Sequence, residues 1–172
     1  MKRTAVIVAV GGLLGTFGAM VAAAPTLARG PKWQFANIPT FTLPAALCGF
    51  KIQVTPVVDK SYFKVLKTSD GSTTFLSTGQ AKLSFTNLQT GKTITEGVSG
   101  PAKPTVFPNG SLTEVAGGHN LIILSPADAK RFGLPTVSVT VGRIKESFAP
   151  NGTITSLSLQ GHVLVNVCSA LS

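Results

Sequence analysis

Asn151–Cys168, NGTITSLSLQGHVLVNVC, decides how the rest of the chain is read. It opens on a Pro-Asn-Gly turn. Leu157, Leu159, Gly161, Val163, Val165 and Val167 then alternate with Ser156, Ser158, Gln160, His162 and Asn166. A period of two with one apolar and one polar face predicts a half-buried strand. Gly161 falls mid-strand on the apolar side, where glycine marks a bulge, a bend or a barrel corner. The strand runs into Cys168, one of two cysteines; the other, Cys48, stands just before the first convincing strand. Pairing them makes the start and end of the folded domain neighbours.

The N-terminus reads as a secretory signal over residues 1–28. Lys2 and Arg3 precede the apolar stretch Ala5 to Met20, which four glycines loosen, and small residues place cleavage after Ala23 or Ala28. Cleavage leaves no stable membrane span and predicts a secreted protein. About 145 residues remain, enough for one domain with a sizeable core. In an exported chain, Cys48 and Cys168 read as one disulfide. Their phases disagree, because Cys48 aligns with apolar Phe50 and Ile52 but Cys168 with polar Asn166. A bulge, or pairing just beyond the strand ends, reconciles them.

The formal charge of +9 falls to about +6 without Lys2, Arg3 and Arg29. The remaining basic residues are spread without a run, which favours solubility and edge protection over polymer binding. An anionic cell-wall or other extracellular partner stays open. One Trp and one Tyr with dispersed lysines argue against nucleic acid.

Residues 29–47 form a Pro-rich extended leader, which Trp33, Phe35, Ile38 and Phe41 are placed to pin to a β domain over residues 48–172. Short alternating segments follow, divided by turn signals at Ser69-Asp70-Gly71, Leu88–Lys92, Pro108-Asn109-Gly110 and Pro150-Asn151-Gly152. Leu121–Leu124 is apolar on both phases, predicting burial on both faces. Ser125, Pro126 and Gly133 delimit the one predicted helical turn, near 126–131. Val137, Val139 and Val141 alternate, then the apolar phase moves to Ile144 and Phe148 across Gly142-Arg143, as a β-bulge would make it. The expected fold is all-β: a single antiparallel meander barrel of about 8–10 strands, with a two-sheet β-sandwich as the alternative.

Several strings carry a resemblance: Phe41-Thr-Leu-Pro-Ala-Ala-Leu-Cys48-Gly-Phe50, the Leu83–Lys92 hairpin, Pro108-Asn-Gly110 and Val165-Asn-Val-Cys168. Over roughly residues 41–172 the chain resembles a family of small secreted two-cysteine β-proteins from high-GC Gram-positive bacteria. The resemblance implies export and a β fold and carries over no functional residue.

No catalytic constellation is legible. There is no Gly-x-Ser-x-Gly elbow, and neither His119 nor His162 has a motif partner. The six acids show no paired-carboxylate motif, and no cofactor or metal ligand set emerges. Glu96 is in phase with Ile94 and Val98 and is the acid expected to point inward. His119, entered through Gly117-Gly118, is the residue expected at a cavity mouth. Glu96 and His119 are therefore the candidate ligand-binding residues. Three functional classes fit: a non-catalytic barrel binding a small apolar ligand, an extracellular interaction or inhibitor module, and, ranked below both, a small barrel cyclase or isomerase.

Overall fold

A computed structural model describes residues 30–172; the signal reading of residues 1–28 and its cleavage sites lie outside the described residues. Two long hairpins frame the molecule. β3 (Ile52–Lys67) pairs with β4 (Thr73–Asn87), and β9 (Val137–Phe148) pairs with β10 (Ile154–Asn166). Several of the short alternating segments are thus stretches of these longer strands. Pro56 is absorbed at a register shift beside Val57, and Gly79 bends β4 without ending it.

Each hairpin has a strand whose free edge carries two short strands. β5 (Thr93–Gly97) lies beside Lys82–Thr86 of β4, and β6 (Ala102–Val106) beside its N-terminal half. On β9, β7 (Leu112–Ala116) lies beside Ile144–Phe148, and β8 (His119–Ile123) beside Val137–Val141. β6 pairs with β7, whereas β5 and β8 share no ladder among the described residues. The sheet is therefore continuous at one end (β3-β4-β6-β7-β9-β10) and split at the other. The leader adds β1 (Gln34–Phe35) and β2 (Phe41–Leu43) to β3, with Ile38 buried between them.

All ten strands pair antiparallel, as the alternation predicted, but the sheet is not closed. The sequence hairpins do not make a simple closed meander, because β4 and β9 each share one edge between two partners. All four turn signals hold, and Gly71, Gly91, Gly110 and Gly152 adopt positive φ.

Two cores explain the phase change at Gly142. Leu121 and Ile123 of β8 with Val137 and Val139 of β9 pack against Ile52, Val54, Leu83 and Phe85 of β3 and β4. Ile122, Leu124 and Ile144 point the other way, to a second core with Ile154 and Ala129. Leu121–Leu124 is thus buried on both faces, as its composition required. The β9–β10 register runs unbroken through Gly142, so the expected bulge is absent there. Apolar residues change phase because the buried face changes. The register shifts lie instead between Ile154 and Ser156 and between Val163 and Val165, and Val165 packs against the first core.

Helix α1 (Pro126–Phe132) forms as its signals predict. Ser125 caps it by accepting from the Asp128 N–H, and Gly133 closes it at φ 67°. The last strand stops at Asn166, short of the expected Cys168. Asn166 accepts from the Ser169 N–H and starts a short helix, α2 (Val167–Leu171). Cys168 lies in α2 and Cys48 in the turn before β3, and they are bonded with Cα atoms 5.2 Å apart. Pairing beyond the strand ends resolves the phase conflict.

A line of close backbone contacts crosses the sheet where it splits. Gly79 stands opposite Ser61, and Gly142 opposite Gly161. A Cβ on Gly142 or Gly161 would overlap the other strand's backbone, the carbonyl oxygen of Gln160 or Val141. Gly100 and Gly118 continue the line, meeting Gly117 and Ser99. Without side chains there, strands approach closely enough for the sheet to crease.

Candidate functional site

At the continuous end, strand alternation sorts side chains onto two faces. Val65, Phe75, Pro104, Glu114, Glu146 and Leu157 form one row across the inner face. The neighbouring row, Lys64, Leu76, Lys103, Val115, Lys145 and Ser158, lies on the outer face. Burial follows this division: Glu114 and Glu146 are buried, while Lys103, Lys145 and Ser158 are exposed.

The outer face holds an open groove of about 720 Å³ along the glycine crease. Leu76, Pro101 and Val115 form an apolar floor with the bare backbone of Gly117, Gly118 and Gly142. Trp33, 48% exposed, walls one side. Lys103 and Arg143 also line the groove, and no acid, histidine or cysteine does. The Lys64 ammonium sits 5.0 Å from the Trp33 ring centroid, a cation–π distance that holds the indole beside the groove. Next to it, Phe35 and Tyr62 meet edge to face at 5.9 Å. The leader residue Trp33 thus contributes to the surface rather than to the core.

Charge is segregated between the faces. Lys60, Lys64, Lys82, Lys103, Arg143 and Lys145 project outward from the six continuous strands, and no acid among the described residues shares that face. The acids Glu114 and Glu146 face inward. These cations looked evenly dispersed along the chain, and only strand register collects them.

Glu114 and Glu146 are directly opposite each other on β7 and β9 and are 5% and 3% exposed. Two of the six acids are therefore paired in space, although no linear motif announced it. Glu114 Oε1 and Glu146 Oε2 are buried without a hydrogen-bond partner. Burial, with the Glu146 charge adding to it, pushes Glu114 up to about 8. Burial pushes Glu146 up to about 7. Near neutral pH Glu114 is thereby held mainly protonated and the pair does not carry two full charges, because a charged carboxylate among apolar neighbours is costly. The signal was present in sequence: Glu114 is in phase with Leu112 and Ala116, and Glu146 with Ile144 and Phe148.

Glu96 is half-buried on β5 opposite Leu83, on the side that its phase predicts. His119 begins β8, and its Nδ1 lies 3.6 Å from where a Cβ on Gly97 would stand. Both residues are thus where β5 and β8 diverge, one sequence position from contact through Gly97. Neither lines the groove. Among the described residues, no group of three or more His, Cys, Asp or Glu is arranged to hold a metal ion. No helix among them is long and apolar enough to cross a membrane.

No family model, curated protein or solved structure matches this chain.

Proposed function

We propose that this is an exported, non-catalytic binding protein of the two-cysteine β type, and that it takes a small apolar ligand in the crease groove. The observation that carries the reading is an apolar-floored groove walled by an exposed tryptophan, on the face of the sheet opposite its buried apolar clusters. Ligand sites are concave, mostly apolar and equipped with a few polar groups. On this reading binding is on the outer face, rather than in the barrel interior that the hairpin pattern suggests. The split end, with a core between β2–β5 and β8–β9, reads as a local two-layer sandwich. The Cys48–Cys168 bond accords with an oxidising compartment.

Trp33 is the only tryptophan, so its emission reports on the groove directly. A saturable blue shift on titration with dodecanol supports the reading. An unchanged spectrum up to the solubility limit of dodecanol rejects it.

One observation favours the interaction-module reading as well. Among the described residues β10 pairs only with β9, and over 13 residues it contains no Lys, Arg, Asp, Glu or Pro. An uncharged open edge is suited to adding a strand from a partner. Concentration-dependent sedimentation abolished by Leu164→Lys would support self-pairing there.

A further inference from the structure

We infer that the ligand is a small anionic amphiphile, whose carboxylate or phosphate head is held by Lys103 and Arg143 while its apolar chain lies on Leu76, Val115 and Trp33. This inference rests on the binding reading above and adds the ligand's chemical class. The groove combines apolar floor and cationic rim within one concavity. Lys103 and Arg143 rise from β6 and β9, which flank β7 about 10 Å apart, and Arg143 is two residues along β9 from Lys145, the residue level with Lys103. Their long side chains can reach a common oxyanion above Val115. Two other cations are already engaged: Arg131 donates to the Ile154 and Thr155 carbonyls, and Lys92 to that of Ser172. Lys103 and Arg143 make no such bond to a described residue.

Charge complementarity selects the occupant. Six outward cations and no acid repel a cationic head, and a neutral head leaves two cations beside apolar surface without a counter-charge. A groove of about 720 Å³ has the size of a small-molecule site. A single-chain amphiphile uses that concavity, whereas docking on a bilayer would use a protruding apolar surface.

The test follows Trp33 emission of the purified protein with three twelve-carbon probes below their micelle concentrations: dodecyl phosphate, dodecanol and dodecyltrimethylammonium. Dodecyl phosphate is expected to bind at least tenfold more tightly than dodecanol, and the ammonium probe more weakly than either. The double variant K103Q/R143Q brings the phosphate-to-dodecanol ratio near one. The charge-matched control K51Q/K130Q, changed on other surfaces, retains the ratio. Circular dichroism verifies the fold of each variant. Equal affinity for phosphate and dodecanol overturns the anionic head and leaves the apolar groove standing. Binding of neither probe removes both readings. A preference that survives K103Q/R143Q, or is lost equally in K51Q/K130Q, overturns the assignment to these two residues. Binding to phosphatidylglycerol vesicles without monomeric dodecyl phosphate overturns it in favour of a membrane surface.

Discussion

Replacing Glu114 with Gln should remove a pH-dependent weakness from the fold. Glu114 sits in a row with Phe75, Pro104 and Leu157 on three other strands, and only Glu146 faces it with a titratable group in that row. Its carboxyl titrates near 8 when folded and near 4.5 in the reference state. The native protein therefore holds an extra proton between those values, so stability falls as pH rises through that window. Each pH unit costs about 1.4 kcal/mol for a fully shifted group, and the window as a whole costs on the order of 5 kcal/mol. Glu146, pushed up to about 7, acts in the same direction. Gln copies the shape and neutrality of the protonated acid. Urea unfolding of wild type and E114Q at pH 5, 7 and 9 reads the difference while other titrations cancel. The two proteins should be within about 1 kcal/mol at pH 5, and E114Q should be the more stable by several kcal/mol at pH 9. A uniform loss in E114Q at every pH would refute the reasoning, as would wild-type stability that rises with pH. Either result would mean that Glu114 works as a paired carboxylate.

Other changes test the frame. Gly161→Ala puts a Cβ into the Val141 carbonyl across the crease and should cost about 1–3 kcal/mol, measured as a lower urea midpoint. A midpoint equal to wild type would mean that the strands do not need this close approach. Removing the disulfide with C48S/C168S releases a loop of 120 residues, for which the chain-entropy relation gives about 5 kcal/mol as an upper figure. A large fall in thermal midpoint is expected, and reductant should reproduce it in the wild type alone.

Local rules made much of the fold legible. Four Gly-containing turns, the Ser125 cap with Gly133, and the alternation of β10 were all readable because each depends on residues within a few positions. The barrel expectation depended on something longer in range, namely which edges pair. Nothing local tells β5 to end beside β4 while β8 goes to β9, and the split between them opens the sheet. The phase slip at Gly142 was visible but had two explanations, a bulge or a change of buried face, which one strand in isolation cannot separate.

The site was less legible for the same reason. Lys103, Arg143 and Lys145 are scattered in sequence and join one surface only through the β6–β7–β9 register. The phase of Glu96 points it inward, and Glu114 and Glu146 have the same relation to their apolar neighbours. Their phases became meaningful once the surrounding short strands were placed. Trp33 reads as a pin for the leader, yet it lies beside a lysine at the groove because β1 lies at the outer edge of β3.

Amide chemical-shift mapping with dodecyl phosphate tests the account most directly, since it locates binding without assuming where it occurs. The largest shifts should cluster at Leu76–Thr78, Pro101's neighbours Ala102 and Lys103, Val115–Gly118 and Gly142–Arg143, together with the Trp33 indole N–H. Shifts concentrated at Glu96, Gly97 and His119 instead, or no saturable shifts at all, would contradict the assignment of binding to the crease.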